Sequence, residues 1–524
     1  MKNNERNILF FLIGSSFLIR FLLSFWLELG NDEVYYYTYA LYPAWSYFDH
    51  PPMVGWFIRV FSFNLLLQGE WAVRLTSVVL GTFNTYLIYV IGKSLKDKES
   101  GLYAALLYTS SIYCFVISGL FILPDTPQST FWLLAVFAFL KSITSSELNK
   151  SSRSWLLAAG IFTGMALLSK YTSAFLWVGA VTYILFFNRK WLKSKELYIS
   201  ILISALFFLP VILWNIQNDW ISFTYHGERV DFSKGRFRID YLMSELGGQF
   251  LYNNPFVVIT VFMAAISFLK GKHFLNRSDG NFLLLISFPI IFTFILVSTF
   301  RATLPHWSGP GYYALILMGG CWLAWKRKTR GLKKIPFHLR IALSFLILVL
   351  IVGVAQIQFG LLIKPDVQKG IFRGKKDFSL DMYGWRQLGE SFSDIKQRDE
   401  KLKKIEPNAP IISFRWFPAA NLDYYVAQPN QTYVLAMGNL ERIHHYAWIN
   451  HYRGGFHQGM DAWYIVSGRD YKDPSQLCED CWSSIIPTDT LPIIRNHDTA
   501  MYFLIYHLKN LKVMPPDPLT TLKN

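Results

Sequence analysis

Residues 31–52 read Asn-Asp-Glu-Val-Tyr-Tyr-Tyr-Thr-Tyr-Ala-Leu-Tyr-Pro-Ala-Trp-Ser-Tyr-Phe-Asp-His-Pro-Pro, and they directly follow an apolar run long enough to cross a bilayer. The stretch holds three carboxylates (Asp32, Glu33 and Asp49), one imidazole (His50) and eight aromatic rings. Carboxylates at the edge of a membrane are costly to desolvate, so a functional reason for them should be sought. Two interpretations are open at this point: a polar interfacial loop that ends a helix, or an active site at a membrane surface.

The composition is that of a polytopic membrane protein. Of the 524 residues, 52% are hydrophobic and only 16% are charged, against about 25% in a soluble domain. The net charge of +16 does not indicate nucleic-acid binding, because the basic residues cluster in short loops between apolar runs. The first apolar run is too long for a signal-peptide core, so we expect a retained transmembrane helix.

Eleven apolar segments, each of about 16 to 22 residues, are predicted to cross the membrane as helices. They lie near 8–28, 71–92, 101–119, 128–144, 155–169, 171–187, 197–216, 250–269, 282–299, 311–326 and 341–362.

The loops between these segments predict the orientation of the chain. Lysine and arginine concentrate in alternate loops, such as Lys93–Lys98, Arg189–Lys195 and Lys326–Arg340. The positive-inside rule places those loops and the N-terminus in the cytoplasm. The outer face then receives the C-terminus and the loops 29–70, 120–127, 217–249 and 300–310.

From about residue 363 the hydropathy falls, and residues 363–524 are predicted to form a small soluble α/β domain on the outer side. The predicted strands are 409–414, 432–437, 463–467 and 501–506, and 418–427 and 437–450 are predicted to be helical. Residues 1–362 form the all-α membrane domain of this prediction.

The four cysteines divide into two pairs of different character. Cys114 and Cys321 fall inside apolar spans and are most simply small core residues. Cys478 and Cys481 form a Cys-Glu-Asp-Cys unit, for which an oxidising outer compartment favours a local disulfide. A redox dithiol is the alternative, whereas a metal site lacks two further ligands at similar spacing.

Several polar residues recur in the predicted outer turns. Asp49-His50 precedes two prolines that fix the backbone, and Asp125 lies in the short turn Pro-Asp-Thr-Pro. Lys170, at Leu-Ser-Lys-Tyr171, is an outside lysine that runs against the charge rule, so we expect an anionic partner, with snorkelling to lipid headgroups as the alternative. Further outer cations are Arg301 and His306, and His226, Arg229, Arg236 and Arg238 in the larger loop.

Together these motifs resemble the GT-C membrane glycosyltransferases. They are most similar to the bacterial branch that contains the lipid A aminoarabinose transferase and the protein O-mannosyltransferase relatives. The resemblance rests on the acidic pair after the first helix and on Tyr-Phe-Asp-His-Pro-Pro, Pro-Asp-Thr-Pro, Leu-Ser-Lys-Tyr and Leu-Pro-His-Trp-Ser-Gly-Pro-Gly-Tyr, in that order over residues 8–325.

The resemblance implies transfer of a sugar from a polyprenyl-phosphate carrier to an acceptor at the outer face of a bacterial inner membrane, by one inverting displacement. The acceptor is left open between lipid A, another glycolipid, a polysaccharide and a protein. The resemblance implies Asp32, Glu33 and Asp49 as catalytic carboxylates, with Asp32 as the general base. It implies substrate contacts from His50, Asp125, Lys170, Tyr171, Arg301 and His306.

The carboxylates Asp32, Asp49 and Asp125 permit a divalent metal but do not require one. The aromatic residues from Tyr35 to Trp45 either stack on a sugar or prenyl chain or form the interfacial aromatic belt. A transporter or flippase of a lipid-linked or anionic substrate is the alternative function, but its ionisable residues would lie within the spans, near the midplane. A membrane anchor for a sensory domain would not need eleven spans.

Overall fold

The computed structural model describes residues 2–231, 236–331, 335–478 and 480–520, and most of them are helical. The helices are α1 (Lys2–Trp26), α2 (Asn31–Leu41), α3 (Met53–Phe61), α4 (Glu70–Leu95), α5 (Lys98–Ser110), α6 (Asp125–Ser142), α7 (Lys150–Leu167), α8 (Phe175–Phe187), α9 (Lys195–Gln217), α10 (Ile221–Val230), α11 (Ile239–Tyr252), α12 (Pro255–Leu269), α13 (Arg277–Ser298), α14 (Gly309–Thr329), α15 (Phe337–Phe359), α16 (Trp385–Lys401), α17 (Trp416–Leu422), α18 (Leu440–Ile443) and α19 (Tyr446–Tyr452). The strands are β1 (Ile411–Ser413), β2 (Val434–Ala436), β3 (Ala462–Ser467), β4 (Trp482–Arg495) and β5 (Asp498–Leu511).

The protein has the helices of a multi-pass membrane protein. Each of the eleven predicted segments overlaps a helix. Five of the described helices are long and apolar enough to cross a bilayer, and a sixth span results if α11 and α12, bent by 95°, count as one. The count of eleven spans therefore stays a prediction, since helices such as α5, α8 and α12 are shorter than a full span.

Backbone contacts divide the chain into two compact units, Met1–Phe25 with Pro43–Val349, and Trp26–Tyr42 with Leu350–Asn524. We call them the membrane unit and the C-terminal unit. The sequence predicts one boundary between residues 362 and 363, whereas the helix α2 groups with the C-terminal unit. Asp32 and Glu33 therefore belong to a different unit from Asp49, although Asp49 is only 16 residues beyond Glu33 in the chain.

Small residues allow the helices of the membrane unit to pack closely. A Cβ atom at Gly160 of α7 would lie 2.4 Å from the carbonyl oxygen of Ser200 in α9. At this contact the Ser204 hydroxyl donates to the Gly160 carbonyl at 2.7 Å. Such close backbone approach with interhelical hydrogen bonds is the usual way in which helices associate in lipid, where the hydrophobic effect supplies little.

The C-terminal unit contains one five-stranded sheet in the order β2-β1-β3-β5-β4. β2, β1 and β3 are parallel, and β5 pairs antiparallel with both β3 and β4. The four predicted strands coincide with β1, β2, β3 and β5. The strand β4 is not predicted from the sequence, because Pro487 and Pro492 interrupt its pattern. Prolines are tolerated there since β4 is an edge strand.

The opposite edge, β2, has its outward backbone groups occupied by side chains. The Asn450 amide accepts a hydrogen bond from the Ala436 nitrogen at 2.9 Å and donates to the Ala436 oxygen at 2.8 Å. Arg453 donates to the Val434 carbonyl at 2.8 Å. Three outward backbone groups of β2 are thereby occupied: the Ala436 nitrogen and oxygen and the Val434 oxygen.

The cysteines follow the division that the sequence suggests. Cys478 and Cys481 are joined by a disulfide in the C-terminal unit. Cys114 and Cys321 are free thiols, both buried in the membrane unit.

Candidate active site

A buried ion pair lies at the centre of the predicted site residues of the membrane unit. Asp125 is the first residue of α6, and Lys170 lies in the break between α7 and α8. Lys170 Nζ is 2.7 Å from Asp125 Oδ2, and the two side chains are 7% and 3% exposed. Nearby, the Gln128 amide donates to the hydroxyls of Thr172 and Ser173 at 2.9 and 3.0 Å. The anionic partner that the sequence predicts for Lys170 is therefore Asp125.

The second oxygen of Asp125 is held by a residue that the sequence analysis did not select. The Tyr113 hydroxyl donates to Asp125 Oδ1 at 2.9 Å. Tyr113 begins a π-helical turn, Tyr113–Ile117, a geometry that is frequent at functional sites. No spacing pattern marks this tyrosine, because its sequence context is that of any apolar span.

A buried arginine supports this π-helical turn. Arg20 of α1 has no exposed surface. Its Nε donates to the Phe115 carbonyl at 3.1 Å, and its Nη2 donates to the Cys114 carbonyl at 3.4 Å. These are carbonyls of the turn that carries Tyr113, so contacts run continuously from Arg20 through Tyr113 to Asp125.

The segment that carries Asp49 is fixed at several points. His226 Nε2 is 2.6 Å from the Asp49 carbonyl oxygen, and the Ser222 hydroxyl donates to the Tyr47 carbonyl at 2.9 Å. Both anchoring residues belong to α10. The Met53 nitrogen donates to the Leu168 carbonyl at 3.1 Å, which brings the start of α3 against the break that holds Lys170.

Rings from three segments meet beside Asp49. The His226 ring centroid lies 5.9 Å from that of His50 and 5.1 Å from that of Tyr171. From the sequence, His226 is one of several polar residues of an outer loop. Its place in α10 brings it beside His50 and Tyr171. The predicted residues Asp49, His50 and Tyr171 are thus brought together by His226.

His306 and Arg301 have different surroundings. His306 lies in the short turn Pro305–Ser308, 6.3 Å from the Tyr252 ring of α11 between ring centroids. Lys170 lowers the pKa of His306 and Asp125 raises it, so His306 belongs to the same electrostatic site. Arg301 Nε donates to the Asp231 carbonyl at 2.9 Å, which ties its turn to the end of α10.

The electrostatics of the site are those of neutral imidazoles around one ion pair. Burial, with Lys170 adding to it, lowers the pKa of His306 to about 4. Burial also lowers the pKa of His50 to about 3 and shifts that of His226 downward. Burial by itself raises the pKa of Asp125, but the Lys170 ammonium outweighs it, so the net pKa is below the usual range. Near neutral pH these histidines therefore act as hydrogen-bonding groups and do not carry charge.

In the C-terminal unit, Asp32 and Glu33 occupy the first turn of α2. Glu33 Oε2 accepts a hydrogen bond from the Gly30 nitrogen at 2.9 Å, as in a capping box. Glu33 is buried, whereas Asp32 is exposed. The two neighbouring carboxylates therefore differ: Glu33 stabilises the start of the helix, whereas Asp32 is exposed.

The described residues contain no group of three or more His, Cys, Asp or Glu side chains arranged to hold a metal ion. Both oxygens of Asp125 are engaged by Tyr113 and Lys170. The predicted metal set of Asp32, Asp49 and Asp125 gains no support from this geometry.

Known proteins resemble this chain in sequence and in fold. Residues 49–214 match the family model described as dolichyl-phosphate-mannose-protein mannosyltransferase. The structure of ArnT from Cupriavidus metallidurans bound to undecaprenyl phosphate superimposes with a TM-score of 0.62 and 16% identity, covering 95% of this chain and 97% of that one. Its apo state gives a TM-score of 0.60 at 14% identity, over the same shares of both chains. The chain has the fold of the GT-C glycosyltransferases of the ArnT and protein mannosyltransferase type.

A sequence relative points the same way. The lipid A galacturonosyltransferase RgtD of Rhizobium johnstonii (strain DSM 114642 / LMG 32736 / 3841) is 20% identical over 304 residues. The alignment spans 58% of this chain and 62% of that protein. The GT-C resemblance expected from the sequence motifs is thereby confirmed.

Proposed function

We propose that this GT-C protein transfers a sugar from a polyprenyl-phosphate carrier to a lipid or glycan acceptor at the outer face of the bacterial inner membrane. Undecaprenyl phosphate bound to the structurally similar ArnT supports the carrier. The lipid A acceptor named for RgtD supports an envelope acceptor over a protein. The basic residues in alternate loops support the outer orientation.

The observation that carries the proposal is the ion pair of Lys170 and Asp125 within a group of neutral imidazoles. In the donor, the bond that breaks joins the anomeric carbon to a phosphate oxygen, and negative charge grows on the phosphate as it leaves. A preorganised ammonium stabilises such charge more than it stabilises the ground state. Asp125 orients Lys170, and His50 and His306 supply N–H donors to the same phosphate.

The acceptor oxygen needs a base. Asp32 is our candidate because it is exposed at a fixed helix end, whereas the Glu33 carboxylate is occupied in capping. In one displacement the acceptor oxygen bonds to the anomeric carbon, its proton passes to Asp32, and the polyprenyl phosphate departs with the bonding electrons. One base and one phosphate site are sufficient for this reaction.

Two measurements test the function. Purified protein in nanodiscs is incubated with radiolabelled undecaprenyl-phosphate sugars, singly, with and without extracted lipid A. Lipid-linked sugars and envelope glycans of a deletion strain are compared with wild type by mass spectrometry. We expect transfer of one donor's sugar and loss of one envelope modification in the deletion strain. The absence of both would contradict the proposal.

A further inference from the structure

The C-terminal unit contains a narrow cleft that has no part in the site described above. Its walls include Asn31, Asp381, Phe417, Arg469 and Asp470, together with residues of α16, β3 and β5. All of these residues belong to the C-terminal unit. The cleft therefore forms within a single compact body.

The cleft lies where an open α/β sheet is expected to bind a ligand. β1 and β3 are adjacent and parallel, so their carboxyl ends lie at the same edge. From β1 the chain leads through α17 to β2 on one side, and from β3 it leads to β4 and β5 on the other. Ligands of such sheets bind in the crevice where these connections diverge. Phe414 directly follows β1 and Arg469 follows β3, and both line the cleft.

The polar groups that line the cleft, and Arg415 beside them, pair imperfectly. Arg469 Nη1 is 2.9 Å from Asp381 Oδ1, whereas Arg415 Nη2 is 4.0 Å from Asp470 Oδ1, beyond hydrogen-bonding distance. The Nε atoms of Arg415 and Arg469 are buried and have no hydrogen-bond partner within the described ranges of the chain. Buried guanidinium donors are costly to leave unpaired, so a ligand acceptor is expected here.

Asn31 connects the cleft to the proposed base. Its side chain accepts a hydrogen bond from Asn421 at 2.8 Å and bonds to Asp381. The next residue is Asp32. A group bound in the cleft is thereby placed beside the first turn of α2.

The chemistry of the lining favours a sugar over an anion. One guanidinium group, Arg469, and two carboxylates, Asp381 and Asp470, line the cleft, so its lining is net negative and would repel a phosphate. A sugar hydroxyl both donates and accepts hydrogen bonds, which suits alternating guanidinium and carboxylate groups. Aromatic rings complete the walls and offer apolar faces: Trp385, Phe414, Phe417 and Phe503.

We propose that this cleft binds a saccharide portion of the acceptor and presents it beside Asp32. Because the cleft is narrow, one edge of a sugar ring enters it, with its hydroxyls directed at Arg469 Nε and the Asp470 carboxylate. This inference deepens the proposed function, since it assigns the acceptor its own subsite in the C-terminal unit.

The test uses the full-length protein in nanodiscs and a lipid-free core oligosaccharide from lipopolysaccharide as the probe. Binding is measured by isothermal titration calorimetry for wild type, Arg469→Met and Asp381→Asn. We expect each substitution to weaken oligosaccharide binding by about tenfold or more, the scale of one lost charged hydrogen bond. The matched control is Arg398→Met, because Arg398 forms an exposed pair with Asp489 in the same unit. It should bind like wild type.

Equal binding by wild type and the two cleft variants would overturn the inference, as would no binding to wild type or competition by inorganic phosphate. Donor turnover is measured in parallel. A wild type that binds oligosaccharide through Arg469 but transfers no sugar would overturn the proposed function alone. A wild type that transfers sugar, with acceptor KM unchanged in Arg469→Met, would overturn the cleft alone. Melting temperatures identify variants that fail to fold, and Asp381→Asn is the milder of the two.

Discussion

Lys170 and Asp125 lie 45 positions apart in the chain, yet their side chains form a buried ion pair at 2.7 Å. Breaking such a pair by removing one partner typically costs about 3–5 kcal/mol, whereas apolar replacement of both is often neutral. We therefore expect Lys170→Met alone to lower the melting temperature, and the double variant Lys170→Met/Asp125→Leu to restore it. Thermal unfolding in detergent measures this.

Activity should separate from stability in the same set of variants. Lys170→Ala should lower turnover of a polyprenyl-phosphate sugar by about 10²-fold or more, the scale of one preorganised charge contact. Lys170→Arg should recover only part of it, since a planar fork is not a point charge. The stable double variant should stay inactive; an active one would show that the lysine serves only the fold.

The two acids of α2 should respond differently to amide substitution. Asp32→Asn should abolish transfer with donor binding retained, because it removes the base and keeps the shape. Glu33→Gln should be mild, since glutamine also completes a capping box. Glu33→Ala should lower the unfolding free energy by about 0.5–2 kcal/mol through loss of the cap. A transfer assay is run beside a donor-binding assay; full activity of Asp32→Asn with a dead Asp49→Asn would move the base to Asp49.

Arg20 should act on the site through Tyr113. Because it holds the carbonyls of the π-helical turn, Arg20→Met should weaken undecaprenyl-phosphate binding, as should Tyr113→Phe. In a double-mutant cycle the two effects should not add, since they remove the same contact to Asp125. Arg74 is the matched control, since it is also fully buried but its Nη1 bonds to the Ser24 carbonyl of α1. Additive effects of Arg20→Met and Tyr113→Phe on donor binding would leave Arg20 with a purely structural role.

The neutral histidines predict acid sensitivity. The folded-state pKa is about 4 for His306 and about 3 for His50, below the ordinary value of 6.5. Between the folded-state pKa and 6.5, each histidine binds more protons in the unfolded state than in the folded state. The unfolding free energy therefore falls as the pH falls from about 6.5 to about 4. Each ring contributes at most about 1.4 kcal/mol per pH unit, and less because both are partly exposed. The measurement is the melting temperature as a function of pH between about 4 and 6.5. His306→Gln should reduce the dependence of the melting temperature on pH, whereas the control His497→Asn, at an exposed position, should leave it unchanged.

Reporter fusions test the orientation. Fusions after Lys98 and Lys195 should report the cytoplasm, and one after Pro365 should report the outer compartment. A cytoplasmic signal at Pro365 would change the parity of the span count and displace the C-terminal unit from the outer face.

The sequence predicts those features that depend on hydropathy and local pairing. Apolar runs locate a helix for each of the eleven predicted segments, and short apolar segments locate β1, β2, β3 and β5, because both signals lie within a few consecutive residues. The polar 17-residue helix α16 is not predicted. The sequence pattern also misses β4, whose prolines are acceptable only at a sheet edge, and edge position is a property of the tertiary fold.

The candidate site residues are likewise predictable only where a local sequence pattern marks them. Asp49, His50, Asp125, Lys170 and His306 are recognisable from turns and charges, but their partners are not. Tyr113 reaches Asp125 only because a π-helical turn rotates it there, and His226 reaches Asp49 only through the helix α10. Such contacts join distant segments, and no spacing within one sequence encodes them.

The edges of the sheet in the C-terminal unit affect how copies of the protein interact with one another. Asn450 and Arg453 occupy three of the outward backbone groups of β2, and β4 lacks two amide donors at its prolines. A strand from a neighbouring molecule therefore finds no continuous ladder to extend at either edge. When many copies share one membrane, their C-terminal units can come into contact without pairing the edges of their sheets. High expression should therefore not by itself cause aggregation through this unit.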